Sequence, residues 1–148
     1  MIEEKQILIN GLKINYKIAG EGPAILVLHG WGGSSDSWLR VQEILSKEGY
    51  QVIVPDSPGF GKSKTPPTAW TVKDYADFVN EFMKKTCGEP VGPFFLLGHS
   101  FGGRIAIKFA TSYPEKIKGL ILLTWILRIL RSWGNLIWFL HLNLSSIL

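Results

Sequence analysis

Five consecutive residues, Gly98-His99-Ser100-Phe101-Gly102, form the arrangement that a nucleophilic hydroxyl needs. They stand between an apolar run, Phe94 to Leu97, and a segment of helical character, Ser100 to Ser112. A serine at so sharp a strand-to-helix turn sits in a strained backbone conformation, so the flanking positions must lack bulk. Gly98 and Gly102 meet that demand, and Gly103 and Ala106 continue the small-residue run, which lets the helix approach the sheet. The positive end of the helix dipole then favours negative charge near Ser100. The chemistry this allows is attack on a carbonyl carbon. A lone G-x-S-x-G also occurs in ordinary glycine-rich turns, so other residues have to concur.

Two further stretches do. Ala24 to Leu28, a continuous apolar run, leads into His29-Gly30-Trp31-Gly32-Gly33. Such a glycine-rich turn leaves backbone N–H groups free to point into a cleft, as an oxyanion-binding loop requires. The next β-branched run, Gln51 to Pro55, ends in Asp56-Ser57-Pro58-Gly59-Phe60-Gly61-Lys62-Ser63, a stretch of turn-forming residues. The three motifs and their order are together far more specific than any one of them.

The elements that position these residues follow from periodicity. Gln6 to Ile9 and Leu12 to Ile18 flank Asn10-Gly11, a strong hairpin signal, and predict an antiparallel pair. Apolar runs at 24–28 and 94–97 suit strands buried on both faces, and the β-branched run at 51–55 and the segment 119–124 are further strands. Helices are expected at about Trp38 to Glu48, capped by Ser37, with Leu39, Val41, Ile44 and Leu45 as its stripe. A second runs from Val72 to Thr86, capped by Thr71, with Tyr75, Phe78, Val79, Phe82 and Met83 on one face. Strands alternating with helices imply an α/β fold with a mostly parallel sheet and flanking helices.

On these motifs the chain resembles the α/β-hydrolase superfamily, in particular its single-domain esterase and carbon–carbon bond hydrolase branch, over roughly Gln6 to Thr124. The resemblance implies Ser100 as catalytic nucleophile and the backbone N–H groups of Trp31 and Phe101 as the oxyanion hole. It makes His29, Gly30, Gly98, His99 and Gly102 supporting parts of their motifs and Asp56 a loop-ordering residue, not the triad acid. Haloalkane dehalogenases and epoxide hydrolases of this fold place an aspartate where this chain has Ser100, which disfavours both activities. The expected substrate is a small ester or related carbonyl compound, hydrolysed through an acyl-enzyme with no metal and no organic cofactor.

The same resemblance orders the triad as nucleophile, acid, histidine, yet no acidic residue follows Glu115, and His141 is the sole histidine after Ser100. The expectation is a fold truncated after about its sixth strand: residues 1–124 as the N-terminal part of the core, 125–148 as an atypical apolar tail. That tail is acid-free and carries Trp125, Trp133 and Trp138. A frameshift or premature stop would produce it, as would a lid or interfacial helix with Arg128, Arg131, Ser132 and Asn135 on a narrow polar stripe. The arginines interrupt the apolar run too soon for a membrane span. A net charge of +4 without a basic block argues against a nucleic-acid partner. The lone Cys87 allows no intrachain disulfide, and the opening residues lack a leader pattern, so the cytoplasm is expected. The alternatives to an enzyme are a catalytically silent ligand- or membrane-binding module and a non-functional fragment of the same fold. Oligomeric state is not legible.

Overall fold

The computed structural model describes residues 1–88 and 92–123. The proposed tail, His141 and Thr124 lie outside the described residues. One six-stranded sheet runs in the order β1-β2-β4-β3-β5-β6, with β1 Ile2–Ile9, β2 Leu12–Ala19, β3 Ala24–Leu28, β4 Gln51–Pro55, β5 Phe94–His99 and β6 Ile117–Leu123. β1 and β2 form an antiparallel hairpin, β2 joins β4 antiparallel, and the remaining pairings are parallel. The mostly parallel α/β architecture expected from the sequence is therefore the one observed.

Alternation along the central strands explains the layers. Leu26 and Leu28 of β3, Ile53 of β4 and Phe94 and Leu96 of β5 point to one face, where α2 (Val72–Cys87) and α3 (Phe101–Ser112) cover them. Ile25, Val27, Val52, Val54 and Leu97 point to the other, against Trp38 and the Val41 and Leu45 side chains of α1 (Leu39–Lys47). Successive side chains of a strand face opposite ways, so a strand covered on both sides must be apolar throughout. α2 begins at a capping box: the Thr71 hydroxyl accepts from the Asp74 N–H at 3.3 Å and the Thr71 N–H donates to the Asp74 carboxylate at 2.7 Å.

Two local expectations are corrected. Ser37 does not cap α1; the chain first makes a 3₁₀ turn, Ser35–Trp38, capped by the Ser34 hydroxyl accepting from the Asp36 N–H. Ile44 and Leu39 of the expected stripe are exposed, whereas Gln42 is fully buried and donates to the Val52 carbonyl at 3.0 Å. The polar Gln42 takes a core position because it can satisfy a β4 carbonyl, a contact that hydrophobic spacing does not register. Cys87 is exposed at the last turn of α2. Among the described residues, no helix is long and apolar enough to cross a membrane.

Candidate active site

Ser100 sits at the junction of β5 and α3 with φ 52° and ψ −112°, far from any conformation that a serine adopts without strain. Its surroundings hold it there. The Ser100 N–H donates to the Leu123 carbonyl at the end of β6 (3.0 Å), and the Ser100 carbonyl accepts from the Arg104 N–H (3.2 Å), which opens α3. A Cβ on Gly98 would come within 2.6 Å of the Gly102 carbonyl oxygen and 2.7 Å of the Gly103 Cα. One on Gly102 would run into the carbonyl oxygens of Leu28 and His29. The two glycines flanking the serine are thus required by backbone on both sides, whereas Gly103 has ordinary space, its nearest neighbour lying at 3.5 Å.

The glycine-rich loop after β3 lies directly against this turn. A Cβ on Gly30 would stand 3.4 Å from the Ser100 Cβ and 2.9 Å from His99 Nδ1. The loop closes on itself through the Gly33 N–H donating to the Gly30 carbonyl (3.0 Å). Among the described residues, neither the Trp31 N–H nor the Phe101 N–H is spent on an internal hydrogen bond. The Trp31 and Phe101 rings meet edge to face, 5.2 Å between centroids. Trp31 is 74% exposed, unlike Trp38, which is core at 8%. Trp70 packs on Tyr75 and Phe78.

His29 and Asp56 are structural in the plainest sense. The Ser57 N–H donates to His29 Nε2 at 2.9 Å, so Nε2 carries no proton, and Nδ1–H must then donate to the Gly30 carbonyl at 2.8 Å. Both ring nitrogens are committed, and the imidazole is fully buried. Asp56 accepts from the Ser35 N–H (2.6 Å), the Lys62 N–H (2.9 Å) and the Asn15 amide (3.1 Å), while its own N–H donates to the Asn15 carbonyl (2.9 Å). One buried carboxylate therefore ties the 29–36 turn, the 56–63 loop and β2 together. Gly61, at φ 52°, is needed because the Asp56 carboxylate occupies the space of its Cβ.

Burial holds the His29 imidazolium below its ordinary 6.5, against weaker opposing pulls from the Gly30 carbonyl and Asp56. For Asp56, burial pushes upward, but the N–H groups of Lys62 and Ser35 and the Asn15 amide prevail and set it below its ordinary 3.8. In each case the fold favours the deprotonated form, so the stability contributed is full above the ordinary value and is lost as pH falls through the depressed one. We expect the melting temperature to decline in two stages on acidification, the first beginning below pH 6.5 and the second below 3.8. His29→Gln should flatten the first stage only; a first stage unchanged in that variant would show that His29 is not its source.

The sequence motifs did not point to four residues that organise the site. Asn15 and Lys17 of β2 reach the loops, Lys17 donating to the Ser35 hydroxyl (3.1 Å) and pairing with Asp36 (2.7 Å). Tyr75 donates to the Pro58 carbonyl at 3.1 Å. Phe60 touches three site residues, its ring 5.6 Å from His29, 5.1 Å from Trp31 and 6.2 Å from Phe101. Its signal was present as the sole aromatic in a turn-rich stretch. A cavity of about 290 Å³ adjoins the loop, lined by His29, Gly30, Trp31, Trp38 and His99 among others. A larger one of about 710 Å³, between Leu12, Trp70 and Phe78, is remote from Ser100 in its lining.

Comparison with known proteins agrees with this geometry. Residues 23–135 match the family model described as alpha/beta hydrolase fold. The chain is similar to a soluble epoxide hydrolase of Corynebacterium sp. (strain C12), 33% identical over 125 residues, covering 84% of this chain and 42% of the relative. It is 34% identical over 127 residues to a 2-hydroxy-6-oxo-6-phenylhexa-2,4-dienoate hydrolase of Comamonas testosteroni, covering 82% of this chain and 42% of that one. Among solved structures, an epoxide hydrolase from Vigna radiata superposes with a TM-score of 0.76 at 29% identity, over 82% of this chain and 39% of its own. A bacterial membrane phospholipase A described as a virulence factor does so with 0.74 at 34% identity, over 82% and 39%. The chain spans about 40% of the length of these proteins.

Proposed function

Because this chain belongs to the alpha/beta-hydrolase-fold family, we propose that it supplies the nucleophile and the oxyanion-binding loop of a cytoplasmic serine hydrolase acting on an ester or related carbonyl compound. The observation that carries the reading is the strained backbone of Ser100, φ 52°, at the head of α3, fixed by Gly98 and Gly102. In this reading the Ser100 hydroxyl attacks the carbonyl carbon, and the Trp31 and Phe101 N–H groups donate to the oxygen as it gains charge. The leaving group departs with a proton, and water then attacks the carbonyl of the acyl-enzyme to release the acid and restore Ser100.

The epoxide hydrolases among the relatives do not shift the proposal to epoxides. Attack by a serine hydroxyl on an epoxide carbon would form an ether, which has no carbonyl for water to attack, so turnover would stop after one event. A relative named as a phospholipase A accords with an ester substrate. His29 and Asp56 are not proposed as base and acid, since their polar atoms are already committed. The commitment of both His29 ring nitrogens and of the Asp56 carboxylate favours a second reading, a ligand-binding module of the same fold.

Incubation with a fluorophosphonate probe, followed by peptide mapping, separates the two. The expected result is an adduct on Ser100 whose formation is accelerated by added imidazole acting as a general base. No adduct on Ser100, with or without imidazole, would end the hydrolase reading in favour of the binding module.

A further inference from the structure

The aromatic residues around Ser100 come from three separate segments: Trp31 from the loop after β3, Phe60 from the loop after β4, Phe101 from the first turn of α3. Their rings form a closed set. Trp31 meets Phe60 at 5.1 Å and 77° and Phe101 at 5.2 Å and 82°, and Phe60 lies 6.2 Å from Phe101. Such edge-to-face contacts fix ring orientation as well as burying area. Yet Trp31 remains 74% exposed, so a large apolar surface is held in a set orientation without being covered. Phe60 anchors the set from behind through the buried His29 ring, at 5.6 Å, and Phe101 is backed by Tyr75 at 5.2 Å.

Position decides what this surface meets. Gly30, next to Trp31 in the chain, has its Cβ site 3.4 Å from the Ser100 Cβ, and Phe101 follows Ser100 directly. Two of the ring-bearing residues thus adjoin the serine, Phe101 in the chain and Trp31 through Gly30. The three ring-bearing side chains carry no charge, which suits an apolar group. Their orientation is fixed by edge-to-face contact, which suits a planar π-system over a saturated ring of equal size, because only the former returns the quadrupolar part of the interaction.

We propose that Trp31, Phe60 and Phe101 form a shelf that binds a planar aryl group of the substrate, with Phe60 holding the Trp31 ring in place for it. The proposal deepens the hydrolase reading and rests on it for the orientation of the ester, but the shelf itself binds without chemistry. Its test therefore uses phenylacetamide and cyclohexylacetamide, amides of similar size that resist turnover, titrated against the chain while the Trp31 indole N–H is followed by NMR. The indole signal is assigned by its loss in Trp31→Phe.

Phenylacetamide should bind about tenfold more tightly than cyclohexylacetamide, the upper end of what an aromatic pair contributes beyond area. Phe60→Leu, which keeps apolar bulk, should erase that preference, and Phe60→Tyr should restore it. Ser100→Ala should leave it intact. Equal binding of the two amides, or a preference that survives Phe60→Leu, would overturn the shelf. Failure of Ser100 to label with fluorophosphonate, with the phenyl preference retained, would sink the nucleophile reading alone.

Discussion

Ser100→Ala should abolish the fluorophosphonate adduct and lower ester hydrolysis more than any other single change in the chain. Where a serine works with an engaged base, its loss costs about 10⁶-fold in kcat, because the members act as a unit. Where no base is engaged, the hydroxyl contributes far less, and the fall on substitution shrinks with it. Measuring hydrolysis of an activated aryl ester by the unsubstituted chain and by Ser100→Ala, with and without imidazole, thus reads the nucleophile and the state of its base together. A rate equal in the two proteins under both conditions would remove Ser100 from the mechanism. Folding gives an independent check: Ser100→Gly should relieve the strain of φ 52° and raise stability by about 1 kcal/mol, even as labelling vanishes. The most reactive position is then also one of the least comfortable, as a retained functional strain demands.

Gly102→Ala is the substitution expected to harm the fold most. Its Cβ would meet the carbonyl oxygens of Leu28 and His29, which are backbone and cannot swing aside. Overpacking costs about 1–3 kcal/mol where side chains can yield; here we expect about 3 kcal/mol or more, read as a lower midpoint in urea denaturation. The neighbouring Gly103→Ala is the control. Its Cβ finds ordinary contact at 3.5 Å, and the change should be neutral or stabilising by up to about 1 kcal/mol through a less flexible unfolded chain. Equal losses at the two positions would show that helix packing in general, not the carbonyls of β3 and its loop, sets the requirement.

Much of this was legible from residue types. The strands at 24–28 and 51–55 have the expected bounds, because a strand covered on both faces is apolar through its buried positions and flanked by breakers. The Asn10-Gly11 turn was equally plain, and both residues adopt the positive φ that a tight hairpin turn uses, 47° and 82°. The sequence pattern starts the first strand at Gln6, whereas β1 begins at Ile2. Glu3, Glu4 and Lys5, all exposed, hide this end of the strand, which is held by pairing with β2, while Ile7 and Ile9 at the other end reach the core. At the site, the glycines and Ser100 were legible since steric demands act on the residue itself. Asn15 and Lys17 were not, because their roles depend on partners brought close by the sheet, such as Asn15 and Asp56 at 3.1 Å.

The strand order carries one more consequence. From β3 the chain turns to one side to make β4, and then returns to place β5 on the other side. The connections leaving the carboxyl ends of β3 and β5 therefore diverge over opposite faces, and a crevice opens between them whatever side chains they bear. The fold supplies the hollow through its winding alone, and loop residues that bond to no strand, such as the exposed Trp31, furnish it. That separation of scaffold from furnishing gives a physical reason why chains sharing about a third of their residues with this one carry names for different reactions.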